Sequence, residues 1–169
     1  MRTSILEQVF IDSILRTAQQ NVAQGEGLEP FLFLYMDGQP ITITPVVHPL
    51  SPQEKQAYFT WLGAQLRRAG QVIEAAVFLA ETWLVLATEA PAACSVRPSR
   101  HPSRREAIVA IGRDAANTRH SLVVQPFGRT EQHQPVWEPL AVASYNAPVA
   151  QGLQAVGLLD TLFAENQKR

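Results

Sequence analysis

The stretch QVIEAAVFLAETWLVLA, residues 71–87, decides the fold. Nearly every position is apolar, so periodicity alone does not separate a buried helix from a buried strand. Its content of Val, Ile, Phe and Trp favours a long central strand. It carries Glu74 and Glu81 and is shorter than a bilayer crossing, so it reads as protein core.

The segments on either side supply its partners. Upstream, FLFLYMDGQPITIT (31–44) reads as a hairpin around Asp37-Gly38, a dipeptide that tolerates the positive φ angles of a two-residue type I′ turn. That turn would pair Leu34 with Ile41 and Leu32 with Ile43 on a core face. Phe31, Phe33 and Tyr35 then form an aromatic row on the other face, which should also pack against something. Pro40 and Pro45 lack ladder donors, so residues 39–47 are expected at a sheet edge. Downstream, REAIVAIGR (105–113) alternates, and HSLVVQPF (120–127) and PVWEPLAVASY (135–145) read as two more strands. Residues 89–103, with three prolines and no period, read as a loop.

Three helices frame these strands. Ser4 and Glu7 fit a capping box ahead of a stripe at Leu6, Phe10, Ile14 and Ala18. In SPQE (51–54), Ser51 is the N-cap, Pro52 suits the first helical position and Glu54 completes a second box. Tyr58, Leu62 and Leu66 continue that helix, and Gly70 suits its C′ position. A last helix is expected from about Asn146, with Pro148 in its first turn and Val149, Leu153, Val156, Leu159 and Phe163 on its apolar side. The order is α-β-β-α-β-β-β-β-α. Short connections imply antiparallel pairing, so the expectation is a single α+β domain over residues 1–169, a mainly antiparallel sheet of about six strands with helices packed on one face.

Only 17% of the 169 residues are charged and 46% are apolar. So little charge points to a large buried fraction, or to apolar surface covered by another copy of the chain. The net charge of −1 gives no global pull toward nucleic acid or anionic lipid. The distribution is uneven, however. Residues 97–129 hold seven arginines against Glu106 and Asp114, a local excess of five positive charges. Cys94, the only cysteine, cannot form an intramolecular disulfide and fits a reducing compartment. The N-terminal residues carry no secretory pattern. A soluble cytoplasmic protein is expected, with no membrane partner.

No phosphate-loop, dinucleotide, zinc-protease, CxxC or nucleophile-elbow motif is present. No cofactor and no metal are implied. His101, His120 and His133 match no ligand spacing, and Cys94 reads as a small packing residue rather than a nucleophile. The singular feature is Glu81, a carboxylate on an apolar strand, two residues before Trp83. Such a group should not be buried unpaired. Either it is an acid or base with a raised pKa, or an arginine from the 97–106 loop neutralises it; the second reading needs fewer special groups. The pattern E-x-W followed by P-S-x-H-P-x-R-x-E, here Glu81, Trp83, Pro98, Ser99, His101, Pro102, Arg104 and Glu106, resembles that of a group of uncharacterised bacterial and phage proteins. It covers about 25 residues of the chain. The resemblance implies no activity, but it suggests that Glu81, Trp83, His101, Arg104 and Glu106 form one constellation.

Three functions are then weighed. The first is a non-enzymatic interaction or structural protein that forms a homo-oligomer, with the hairpin's aromatic face as one candidate interface. The second is a binder of nucleic acid or a phosphorylated ligand through Arg97, Arg100, Arg105, Arg113 and Arg119, with Arg104 and Arg129 nearby. Against it, no aromatic residues interleave with the charges. The third is a hydrolase-type enzyme using Glu81 or Glu106 with His101.

Overall fold

The computed structural model describes residues 5–25, 27–37, 39, 41–46, 51–85, 100, 102–148 and 157–168. The described residues form three helices and seven strands, in the chain order α1 (Gln8–Ala23), β1 (Phe31–Met36), β2 (Thr42–Pro45), α2 (Pro52–Arg68), β3 (Ile73–Leu84), β4 (Arg105–Asp114), β5 (Arg119–Arg129), β6 (Pro135–Trp137), β7 (Val142–Pro148) and α3 (Gly157–Asn166). The strands form one sheet in the order β2-β1-β3-β4-β5-β6, and β7 also pairs with β5. Every pairing is antiparallel. This is the expected α+β domain, and residues 73–84 are its long strand.

The helices, however, cover both faces of the sheet rather than one. The reason lies in β1 and β3, which are apolar on both sides. Leu32 and Leu34 of β1 and Ala76 of β3 pack with Phe59 and Leu62 of α2 and Leu159, Leu162 and Phe163 of α3. Phe33, Val77 and Leu79 point the other way, into a cluster with Ile11, Ile14, Leu15, Ala18 and Val22 of α1. Strictly alternating strands would have needed only one such layer. The pairing register shifts between Tyr35 and Met36, where Met36 faces Ile73, and both join the α2–α3 cluster.

The hairpin register differs from expectation by one residue. The chain between Met36 and Thr42 is longer than a two-residue turn, with Gln39 N–H donating to Met36 O at 3.1 Å; Gly38 lies outside the described residues. Leu34 therefore faces Thr42 and Phe33 faces Ile43. A one-residue slip moves every side chain to the opposite face, so Ile41 and Ile43 leave the expected core positions and are exposed. The aromatic row does pack: Phe10 of α1 meets Phe33 edge-on at 5.6 Å between centroids. The strand ends at Pro45 on the sheet edge, as its missing donor requires.

Helix starts divide similarly. The Ser51–Glu54 box forms, with Ser51 Oγ accepting from Glu54 N at 3.2 Å and Glu54 Oε2 accepting from Ser51 N at 2.6 Å. Gly70 takes φ +71° behind α2. Ser4 lies outside the described residues. The first helix has Glu7 at its N-cap without a side-chain cap, because the Glu7 carboxylate accepts from Asn146 Nδ2 at 2.8 Å instead. Asn146 does not start the last helix. Its backbone N–H donates to Ser121 Oγ at 2.9 Å, which keeps it in the β5–β7 ladder at φ +43°. The last helix is described over Gly157–Asn166, and residues 149–156, including Val149, Leu153 and Val156, lie outside the described residues. The expected strand over 135–145 is divided into β6 and β7, which share β5 as partner.

Candidate functional site

Antiparallel pairing of β3 with β4 sets Trp83 opposite Glu106 and Glu81 opposite Ile108. Pairing of β4 with β5 sets Glu106 opposite Phe127, so Arg129 follows two residues later on the same face. Glu81, Trp83, Glu106 and Arg129 thus gather at one end of the sheet, on the side covered by α1. Arg129 forks onto Glu106, Nε to Oε2 at 2.8 Å and Nη2 to Oε1 at 3.1 Å. The same Nη2 lies 3.5 Å from Glu81 Oε1. The other oxygen of Glu81 accepts the Leu28 backbone N–H at 3.3 Å, which ties the segment after α1 to the sheet. The hydrogen bonds that Arg129 donates to Glu106 raise its pKa above the usual arginine value, with burial opposing them and the charges of Glu106 and Glu81 adding to them.

An open cleft of about 500 Å³ lies in front of this clamp, lined by Gly27, Leu28, Glu29, Lys55, Glu81, Thr82, Trp83 and Glu106. The Trp83 ring is 42% exposed, and the Arg104 guanidinium sits over it at 5.1 Å from the centroid. The structure therefore brings Glu81, Trp83, Arg104 and Glu106 together. His101 lies outside the described residues. The expectation that a 97–106 arginine neutralises Glu81 is corrected: the guanidinium that faces Glu81 belongs to Arg129, from a different strand. Arg129 carried no sequence signal for this role, since only the β4–β5 register places it beside Glu106.

The other arginines do not form one surface. Arg97 lies outside the described residues, and Arg100 is exposed. Arg104 and Arg105, adjacent at that start, turn to opposite sides, toward Trp83 and toward the Glu138 carboxylate. Arg113 sits at the far end of β4, roughly 27 Å from Arg105 at the usual rise of a strand. It is 7% exposed, pairs with Asp160, and stacks over Phe163 at 4.7 Å. Burial lowers its pKa, and the neighbouring Asp114 partly restores it. Arg113 thus anchors α3 to the sheet and offers nothing to an external anion. Arg119 lies near Arg113 and donates to Asn146 Oδ1 at 3.2 Å.

Among the described residues no group of three histidine, cysteine or acidic side chains converges on a metal position. His120 and His133 stand at opposite ends of β5. Among the same residues no helix is long and apolar enough to cross a membrane.

A second surface lies on the opposite side of the sheet. Ala80, Val109, Val124 and Val142 are direct cross-strand partners, forming one apolar row across β3, β4, β5 and β7. None of the four belongs to either buried cluster. Val142 is 40% exposed, and Val136, opposite Gly128 on the same face, is exposed as well.

No family model matches the chain, and neither a curated protein nor a solved structure shows significant similarity to it.

Proposed function

We propose that this protein is a non-enzymatic interaction protein that assembles with copies of itself. The observation that carries the reading is the row Ala80–Val109–Val124–Val142, an apolar strip outside both cores in which the first three are half-buried and Val142 is exposed. Contiguous apolar surface of this kind marks contact sites. A second copy is the occupant that fits the chain's low charge content, because a two-fold contact buries the same strip on both partners. The hairpin's aromatic face, the other candidate, is already engaged by α1. The acid–base alternative is less well supported: Arg129 engages both carboxylates that would serve it, and a general base must be available to the proton it takes.

Light scattering on the purified chain tests the proposal. The expected result is a mass of at least two copies for the native protein. Val124→Lys and Val142→Lys, made together, should give the mass of one copy with an unchanged far-ultraviolet circular dichroism spectrum. A native chain that stays a single copy at micromolar concentration overturns the reading. So does an oligomer indifferent to both lysines.

A further inference from the structure

We propose that the open edge of β3 at Glu81–Trp83 is a docking site for an extended peptide of alternating charge, which adds to the sheet as a strand in line with β1. The site follows from which backbone groups β3 turns to each neighbour. Glu74 O accepts the Ala115 N–H at 2.7 Å across the β3–β4 pairing, and the register runs unbroken from Ala75 to Leu84. Backbone groups alternate sides along a strand, so the even-numbered residues of β3 bond β4 and the odd-numbered ones turn away from it. β1 agrees from its other side: Pro30 O accepts the Val46 N–H at 2.8 Å, so Phe31 and Phe33 turn toward β3, where they face Leu79 and Val77. Beyond Leu79 this partner ends. The pairing of β1 with β3 stops at Phe31, and Leu28 gives its N–H to the Glu81 side chain rather than to the backbone. The N–H and C=O of Glu81 and Trp83 thus turn to the cleft side with no backbone partner among the described residues.

An open edge on a strand that is paired on both sides elsewhere is a template for one more strand. Thr82 and Trp83 are exposed, where the earlier part of β3 is largely buried. No proline or bulge interrupts residues 81–84. The cleft of about 500 Å³ leaves room for a short extended segment. Its charges choose the occupant. A strand bonded to Glu81 and Trp83 sets the two side chains opposite them on their face of the sheet, and the side chain between on the other. On the first face Glu81 and Glu106 carry two negative charges against the one of Arg129. Glu29 lines the same cleft. On the α2 side, Lys55 lines the cleft with Thr82 and has no ion-pair partner among the described residues. The segment that fits is therefore basic, then acidic, then basic. The Trp83 indole keeps its contact with Arg104, because Trp83 contributes only its backbone.

The test is a titration of the full chain with acetyl-Thr-Lys-Glu-Lys-Thr-amide, followed by nuclear magnetic resonance of the backbone amides. Run antiparallel to β3, the peptide sets its lysines opposite Trp83 and Glu81 and its glutamate opposite Thr82. Saturable shifts of the Glu81 and Trp83 amides are expected, with slowed hydrogen exchange at both. The charge-swapped acetyl-Thr-Glu-Lys-Glu-Thr-amide should bind roughly fivefold or more weakly. Methylating the backbone nitrogen of the second lysine removes a donor to Glu81 and should weaken binding roughly fivefold. Methylating that of the glutamate, whose N–H faces away from β3, should weaken it less than about twofold. In Lys55→Glu, a peptide with lysine at the central position should bind better than the one with glutamate there. The proposal is overturned if the Glu81 and Trp83 amides show no saturable shift, if the charge-swapped peptide binds as well, if the two methylated peptides bind alike, or if Lys55→Glu leaves the preference for glutamate unchanged.

Discussion

Asn166, the last residue of α3, accepts the backbone N–H of Ile73 through Oδ1 at 3.0 Å, at the point where β3 begins. Its Nδ2 donates to Gln71 O at 2.9 Å, so one amide satisfies both backbone groups of the α2–β3 connection. The side chain is 5% exposed. Asn166→Ala leaves a buried donor and an acceptor without partners, which should cost about 2–4 kcal/mol. The neighbouring Gln167→Ala, at an exposed position, should stay within about 0.5 kcal/mol of the native protein. Urea unfolding with an unchanged slope checks both; similar midpoints for the two variants would contradict the role given to Asn166.

The Arg129 clamp makes a prediction about charge rather than shape. Arg129→Met removes the guanidinium from two carboxylates that are 23% and 20% exposed. The loss should be about 1–3 kcal/mol, moderated by the solvent that still reaches the site. Most of that cost is the uncompensated negative charge, so adding Glu81→Gln and Glu106→Gln to Arg129→Met should restore much of the stability. A triple variant no more stable than Arg129→Met would mean that the clamp acts through packing instead.

Asp114 closes the β4–β5 turn and gives the fold an acid-sensitive contact. Burial works against its charge, but hydrogen bonds outweigh it: from the Thr118 hydroxyl at 2.6 Å, the Arg119 N–H at 3.0 Å and the Thr118 N–H at 2.7 Å, with the charge of Arg113 adding to them. The carboxyl pKa therefore lies below its ordinary 3.8. A depressed carboxylate contributes its full stability above the unfolded value and loses it as pH falls through the folded value. Asp114→Asn should thus lower stability at pH 7 and progressively converge on the native protein below about pH 4. Unfolding midpoints measured from pH 2 to pH 7 check this; a difference that does not shrink on acidification would refute it.

The parts of this architecture that were legible in the sequence are those fixed locally. The Ser51–Glu54 box, Gly70 behind α2 and the β-branched, aromatic run of β3 each follow from a few neighbouring residues. The misses are nonlocal. The Asp37-Gly38 dipeptide signals a tight turn, but packing of both faces of β1 sets the register, and Ile43 loses its core position to that constraint. Asn146 reads as the approximate start of a helix because its partners, Glu7 and Ser121, are distant in sequence. At the cleft, the resemblance carried by the E-x-W and P-S-x-H-P-x-R-x-E pattern points to a constellation that includes Glu81, Trp83, Arg104 and Glu106, and the pairing of β3 with β4 assembles these four. Arg129 completes it from β5, through a register that no short motif encodes.

At Gly63 α2 lies directly against α3, and the lack of a side chain is what permits it. A Cβ built there would lie 2.5 Å from Leu162 O, 2.9 Å from Glu165 Cβ and 3.3 Å from Asn166 N. Two of those three atoms belong to the helix backbone, which cannot rotate away as a flexible side chain would. In an isolated helix, Gly→Ala stabilises by about 1 kcal/mol, because alanine loses less backbone freedom on folding. Here the overlap should reverse the sign, and Gly63→Ala should destabilise by about 1–3 kcal/mol as α3 is pushed outward. The displacement should also loosen Asn166 from Ile73, since the same turn of α3 carries both contacts. Faster exchange of the Ile73 amide hydrogen in Gly63→Ala than in the native chain is the expected signature. A variant as stable as the native protein, with that amide equally protected, would show that the two helices have room to spare.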